Sequence, residues 1–212
     1  MTTTSIIHKG VLLGANNHID DFVIIGVPPL GAESGELETV IGRDAVVRSH
    51  TVIYAGNRIG TNFQTGHGVM IRELNEIGDN VSVGTHSIVE HHVKIGNGVR
   101  IHSNVFIPEY CILEDEAWVG PHAVLTNALY PRSPDAKSNL KGARLMKGSK
   151  VGANVTLLPG VTIGRNALVG AGSVVVTDVP DGKVVVGNPA RIIRDVSELS
   201  AYSKERLIAK GE

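Results

Sequence analysis

Between residues 41 and 130 one position in every six is apolar: Ile41, Val47, Ile53, Ile59, then Ile71, Ile77, Val83, Val89, Ile95, Ile101, Ile107, Leu113, Val119 and Leu125, with Thr65 the one polar exception. The residue two places earlier is mostly small or aliphatic (Ala45, Thr51, Val69, Val81, Val93, Val99, Val105, Ala117, Ala123), and glycine often follows (Gly42, Gly60, Gly78, Gly84, Gly96, Gly120). A period of six matches neither the 3.6-residue turn of a helix nor the strict alternation of a hairpin. It predicts a parallel β-helix, in which each hexapeptide is one short strand plus one corner and the core is buried only by stacking. Three hexapeptides close a triangular coil. Residues 18 apart therefore lie above one another at about 4.8 Å, the spacing between paired strands.

The same register divides the chain. An earlier block carries Ile7, Leu13, Ile19 and Ile25, and a later one carries Leu145, Val151, Leu157, Ile163, Val169 and Val175. The pattern breaks twice, at about 29–40 (Pro29-Leu30-Gly31 onward) and 131–144 (Pro131 to Arg144), and both stretches are expected to protrude as loops. The three blocks predict roughly eight coils over residues 1–194. The chain is expected to leave the rod at Val186-Gly187-Asn188-Pro189-Ala190-Arg191 and to end in a helical tail, 195–212. There Leu199, Tyr202, Leu207 and Ile208 fall at helical spacing behind Ser197 as N-cap. Such a helix could cover the open end of the solenoid or touch a neighbouring subunit.

Bulk properties exclude more than they assert. A net charge of −1 on 212 residues gives no argument for nucleic acid or a membrane surface as partner. The N-terminal MTTTSIIHKG lacks a signal-peptide apolar core and no apolar run approaches a membrane span, so a cytoplasmic protein is expected. The single cysteine, Cys111, takes an inward repeat position and reads as a small core residue. Charge is unevenly spread. Acidic residues dominate from Gly68 to Gly120 (Glu73, Glu90, Glu109 and Glu114-Asp115-Glu116 among them), and basic residues dominate from Lys141 to Arg194. Acidic middle coils suit a cationic or polyhydroxyl ligand and basic terminal coils suit a polyphosphate.

The 18-residue rule singles out one column. Glu73, His91, Glu109 and Asn127 follow one another at that interval and should share one edge of the rod. An imidazole with a carboxylate one coil away and an amide beyond it is a general base with an orienting partner; a polar column merely satisfying water has the same spacing. Five other histidines, His50, His67, His86, His102 and His122, read mostly as exposed corner residues.

Several segments resemble known enzymes. Val89-Glu90-His91-His92-Val93-Lys94-Ile95-Gly96 is similar to the histidine segment of UDP-N-acetylglucosamine acyltransferases and of sugar N-acetyltransferases in the hexapeptide-repeat acyltransferase family, which implies His91 as the catalytic base. The family usually places Asp where this chain has His92. Asn104-Val105-Phe106-Ile107-Pro108-Glu109 and Thr126-Asn127-Ala128-Leu129-Tyr130-Pro131-Arg132 resemble the N-acetyltransferases of nucleotide-linked amino sugars, where the residues matching Glu109 and Asn127 line the substrate site. Lys147-Gly148-Ser149-Lys150-Val151-Gly152, Gly170-Ala171-Gly172-Ser173 and Gly187-Asn188-Pro189-Ala190-Arg191 look like the acetyl-CoA end of these enzymes. That likeness implies Gly152, Gly170, Ala171 and Ser173 along the pantetheine arm and Lys183 or Arg191 at the phosphates, in a groove between subunits of a homotrimer. It also implies a left-handed coil.

The expectation is therefore an all-β, left-handed parallel β-helix with two protruding loops and a short C-terminal helix. Its expected work is acetyl-CoA-dependent N-acetylation of an amino sugar, nucleotide-linked as the motifs suggest, with no metal. The alternatives are an acyl-CoA O-acyltransferase, against which Tyr130 stands where such enzymes place a histidine, a non-catalytic scaffold, and a zinc carbonic anhydrase of the γ type. The last would use His86 and His91 with His50. Within one chain His50 and His86 are two coils apart, about 9–10 Å, too far for a shared zinc.

Overall fold

The computed structural model describes residues 4–202. Short strands, most of two residues, stack into three parallel sheets that form the faces of a triangular rod. Face I has nine strands, from Ile6–Ile7 to Val174–Val175; face II has eight, from Val11–Leu13 to Thr162–Ile163. Face III begins at His18–Ile19 and ends in an antiparallel hairpin, Lys183–Gly187 against Ala190–Asp195. The rod thus makes eight full turns and part of a ninth, as the repeat count predicts.

Register follows the 18-residue rule. Ile71 pairs with Ile53 below and Val89 above. The step lengthens at two places only: His18 pairs with Val46 and Trp118 with Lys150. These are the two insertions. Both lie between a face I strand and the next face II strand: residues 28–38 between Ile24–Val27 and Thr39–Ile41, and residues 126–143 between Val124–Leu125 and Arg144–Leu145. The loops are a little differently bounded than the sequence breaks suggest, because Thr39 already pairs with Val11 and Ala143 is already buried. Both open at the same edge of the triangle, here called edge I–II.

The inward aliphatics fill the rod completely: Ile53, Ile71, Val89, Ile107, Leu125 and Leu157 are all fully buried. Phe63 is the one aromatic among the buried core residues. Cys111 lies among them as expected, and burial pushes its thiol up to about 12. Thr65, the exception to the apolar pattern, is tolerated because its Oγ1 accepts the Arg48 N–H at 2.9 Å and lies 3.1 Å from Thr51 Oγ1.

The end of the rod corrects one expectation. The Val186 to Arg191 segment does not carry the chain away; it forms the reversal of the hairpin, with Gly187 at φ 103° and a cis Asn188–Pro189 peptide. The positive φ explains the glycine. The helix expected behind Ser197 is, over its described part, two 3₁₀ turns at Val196–Glu198 and Ser200–Tyr202, the first held by the Asp195 N–H on Glu198 Oε1. Its continuation through Leu207 and Ile208 lies outside the described residues. Tyr202 folds back over face III, where Lys150 Nζ sits 5.3 Å from its ring centre.

Candidate active site

Edge I–II is where the chain does most besides fold. Its corners are set by a buried amide ladder that sequence reasoning missed. Asn57 and Asn75 take inward positions where most repeats hold Val or Ala, and both are buried. Asn57 Oδ1 accepts the Asn75 N–H at 3.0 Å, and Asn75 Oδ1 accepts the Val93 N–H at 2.7 Å. Their amide groups both donate to the Arg72 carbonyl, at 2.8 Å. Buried polar groups need such partners; here the partners pin the backbone from which residues 73 and 91 project.

The Glu73, His91, Glu109, Asn127 column stacks as the spacing predicts, in consecutive turns. Asn127 Nδ2 donates to Glu109 Oε2 at 2.6 Å, and Glu109 Oε1 lies 3.6 Å from His91 Nε2. His91 and Glu109 keep about a quarter of their side-chain surface open, 26% and 25%. They are reachable from solvent yet held from behind.

Glu73 is different. It is nearly closed off and gripped by Arg72, whose Nε reaches Oε2 at 2.8 Å and whose second amino nitrogen reaches Oε1 at 2.9 Å. Burial pushes the Glu73 carboxyl up, but the Arg72 hydrogen bonds, a backbone N–H and nearby positive charge more than offset it and hold the group below its ordinary range. Arg72 also meets Glu90 Oε2 at 3.3 Å and lies over the Tyr54 ring at 5.0 Å. Glu90 goes the other way: burial, opposed by Arg72 and reinforced by Glu109, raises its carboxyl above the usual value. Glu73 is therefore the closed end of the column, and His91, Glu109 and Asn127 are its partly open, mutually contacting part.

His92 stands in for the aspartate the resemblance leads one to expect. Its Nδ1 lies 2.8 Å from His91 Nδ1. One of the two nitrogens donates to the other, and where His91 Nδ1 is the donor its Nε2 is left as a lone pair on the Glu109 side. His92 thus holds the orientation of the His91 ring from its Nδ1 side. Tyr110 closes the group, its ring edge-on to His91 at 6.0 Å and tilted to His92 at 5.8 Å.

The residues expected at the donor end lie elsewhere. Gly152, Gly170, Ala171 and Ser173 follow the ends of face III strands, at edge III–I, across the whole width of face I from His91. Within one chain the structure does not bring the two groups together. Gly152 and Gly170 have a structural reason to lack a side chain, since an added Cβ would meet Ala171 N at 2.6 Å and Val186 Cγ1 at 2.5 Å. Ser173 is fully buried and its Oγ accepts the Gly187 N–H at 3.1 Å. Lys183 is paired with Asp195 Oδ1 at 2.6 Å, whereas Arg191 is exposed and donates to the Ala190 carbonyl at 3.0 Å. Ala171 begins the corner between Gly170 and Gly172.

The other histidines have a conformational account. His50, His86 and His122 occupy left-handed corner positions with φ of 63°, 57° and 59°, where Asn, Asp and His are favoured over most residues. His86 is at edge III–I and His91 at edge I–II, with the Ile88–Val89 strand between them, so they do not converge on one ion. Among the described residues no group of three or more His, Cys, Asp or Glu is placed to hold a metal. His102 is partly buried against Trp118, ring centres 4.6 Å apart, and burial lowers its pKa. A surface hollow on face II, walled by Arg58, Glu76, Lys94 and Arg165, does not include the His91 column.

Comparison with known proteins fits this architecture. Residues 76–109 and 142–177 match the bacterial transferase hexapeptide (six repeats) family model. Those two stretches carry the six-residue repeat that the model describes. It is 38% identical over 85 residues to a galactoside O-acetyltransferase of Lactococcus lactis, covering 37% of this chain and 40% of that one. It is also 38% identical over 91 residues to a 2,3,4,5-tetrahydropyridine-2,6-dicarboxylate N-acetyltransferase of Staphylococcus aureus, covering 43% and 36%. The hexapeptide-repeat chain thus spans well under half the length of these curated relatives. In fold it is similar to the UDP-N-acetylglucosamine acyltransferase of Arabidopsis, with a TM-score of 0.61 at 13% identity over 99% of this chain and 80% of that one. The enzyme of the same name from Bacteroides fragilis gives 0.58 at 14% identity, covering 92% and 74%. This likeness makes the rod a left-handed parallel β-helix. No helix among the described residues is long and apolar enough to cross a membrane.

Proposed function

We propose that the protein is an acetyl-CoA-dependent N-acetyltransferase whose acceptor is an amino sugar, nucleotide-linked in the reading its motifs suggest. The observation that carries this is the His91–Glu109–Asn127 array, an open imidazole backed by an oriented carboxylate. Both curated relatives are named acetyltransferases, one of an oxygen and one of a nitrogen, which supports acetyl transfer and leaves the acceptor to the site.

The site favours nitrogen. Glu73 and Glu90 flank Arg72, and Glu109 adds a third carboxylate beside His91, a field that gathers an ammonium ion before it loses its proton. The amine attacks the thioester carbonyl; a C–N bond forms and the C–S bond breaks. His91 Nε2 takes the amine proton and returns it to the leaving thiolate. Glu109 meets the transient imidazolium, and Asn127 keeps Glu109 aimed.

Donor and acceptor ends lie on different edges, so the complete site in this proposal forms between copies of the chain, as a homotrimer. The outer column of face I supports this. It is apolar through most of its length (Ile6, Ile24, Val52, Met70, Ile88, Phe106, Val124), with Ile6, Met70 and Val124 exposed in the single chain. Packing a neighbour there sets its edge III–I, with Gly152, Gly170, Ala171 and Arg191, beside His91. Ser173 and Lys183 then act behind that groove, fixing the corner and the hairpin.

The test is thiol release from acetyl-CoA with a panel of nucleotide-linked amino sugars and their hydroxyl counterparts, beside sedimentation of the protein. Release with amines alone, from a trimer, is the expected result. Release with hydroxyl acceptors alone would move the protein to the O-acyltransferases. Stoichiometric zinc with CO₂ hydration would overturn acyl transfer altogether.

A further inference from the structure

The left-handed corner positions show where the rod departs from its own rules. At edge II–III they hold Asn16, Asp44, Asn62, Asn80, Gly98, Glu116, Gly148, Asn166 and Gly182, mostly residues that accept positive φ readily. Edge I–II has glycine at Gly56 and Gly160, but three successive turns between them hold Leu74, His92 and Tyr110, at φ 61°, 57° and 66°. Leucine and tyrosine gain no local hydrogen bond to offset that conformation. They are not core residues either, being 39% and 46% exposed. Elsewhere among the described residues, Phe22 at φ 62° is the comparable apolar case, and it packs on the His50 ring at 5.1 Å.

The three side chains follow one another on successive turns of this edge. Leu74 lies over Gly56, where an added Cβ would meet its Cδ2 at 2.7 Å, and Tyr110 tilts against His92 at 5.8 Å. The strip runs one residue away from Glu73, His91 and Glu109, parallel to them. An apolar and aromatic rail thus lies beside a polar one.

Resting on the proposed function, we infer that Leu74, His92 and Tyr110 are the shelf on which the sugar ring of the acceptor lies, with Tyr110 the principal specificity residue. A pyranose matches this pair of rails: its C–H face packs on an aromatic or aliphatic surface while its polar substituents turn to one side. Distance selects the sugar ring over a more remote part of the acceptor. Tyr110 is 6.0 Å from the His91 ring, and an amine within reach of His91 Nε2 carries its own ring over Tyr110. The strained backbone persists because the site needs large side chains there.

The experiment compares Tyr110→Asn, which suits positive φ and removes the ring, with Tyr110→Phe, which keeps it, on the full chain. Tyr110→Asn is expected to melt no lower than wild type, with a gain of about 2–4 °C from relieved strain. Its KM for the amino sugar should rise tenfold or more, while KM for acetyl-CoA stays within about twofold. Tyr110→Phe should hold the acceptor KM within about threefold. An active wild type whose Tyr110→Asn variant keeps its acceptor KM sinks the shelf alone, as does an equal loss in both variants. A wild type inactive toward every amino sugar sinks the proposed function and the shelf with it.

Discussion

Two polar columns run up this rod at the same spacing, and they do different things. At edge II–III, Asp79 Oδ1 accepts the Thr61 N–H at 2.7 Å, Asn97 Oδ1 accepts the Asp79 N–H at 2.8 Å, and Asp115 Oδ1 accepts the Asn97 N–H at 2.8 Å. The backbone consumes each side chain. Asp79 titrates below its ordinary range for that reason, the Thr61 N–H first and the Thr61 hydroxyl second. At edge I–II the partners are other side chains, Arg72 for Glu73, His92 and Glu109 for His91, and Asn127 for Glu109, and the His91 and Glu109 groups stay partly open. Stacking follows from spacing in both. Whether a stacked group can do chemistry depends on whether a main-chain donor has already claimed it.

The sharpest way to break this comparison is to truncate one member of each column. His91→Ala is expected to lower kcat by about 10²–10⁴-fold, the usual contribution of a positioned general base, and to leave the melting temperature within about 2 °C. Asn97→Ala should leave kcat unchanged. Acetyl-transfer kinetics on both variants decide it: comparable activities would mean the open column has no more chemical role than the closed one.

Arg72→Met comes next in size. It strands the nearly buried Glu73 carboxylate, and breaking such a pair costs about 3 kcal/mol, readable from urea unfolding. The pH dependence gives a sign that a simple packing defect would not. In the wild type the folded Glu73 pKa is depressed, so its contribution is present above the unfolded value and is lost as pH falls through the folded one. Without Arg72 burial, the largest single influence, is opposed only by the backbone N–H and the nearby His91, so that pKa rises from its wild-type position. The variant should then regain stability relative to wild type as pH falls below about 5. Loss of equal size at pH 7 and pH 4 would show that Glu73 is not the stranded group.

How much of this could be read beforehand follows the same division. The rod was legible because its inward positions are specified by period alone, and Ile71, Val89 and Ile107 stack where the count places them. The His91–Glu109–Asn127 contact was legible for the same reason. Asn57 and Asn75 were not, since an inward amide breaks the apolar pattern and its hydrogen bonds go to main-chain atoms that a sequence does not display. The strip of Leu74 and Tyr110 was hidden too, although a signal existed: both fill corner places that other edges give to Asn, Gly or His. The hairpin at Lys183–Gly187 and Ala190–Asp195 was missed because the hexad period ends before it, and Gly187-Asn188-Pro189 reads equally as an exit or a reversal.

The smallest effect probes the closed column from inside. Asn97 offers Oδ1 to the Asp79 N–H, and an aspartate at 97 could offer the same atom. Asn97→Ala should therefore cost about 1 kcal/mol, one hydrogen bond at a partly solvated corner, and about 2–4 °C of melting temperature. Asn97→Asp keeps the bond but sets a third carboxylate between Asp79 and Asp115, each one coil away at about 4.8 Å. Like charges at that spacing repel, and salt screens them. Its deficit should therefore shrink as salt rises to about 1 M, where the Debye length is about 3 Å, while that of Asn97→Ala should not. Were the two deficits to respond alike to salt, the column would be held by something other than the hydrogen bonds that now close it.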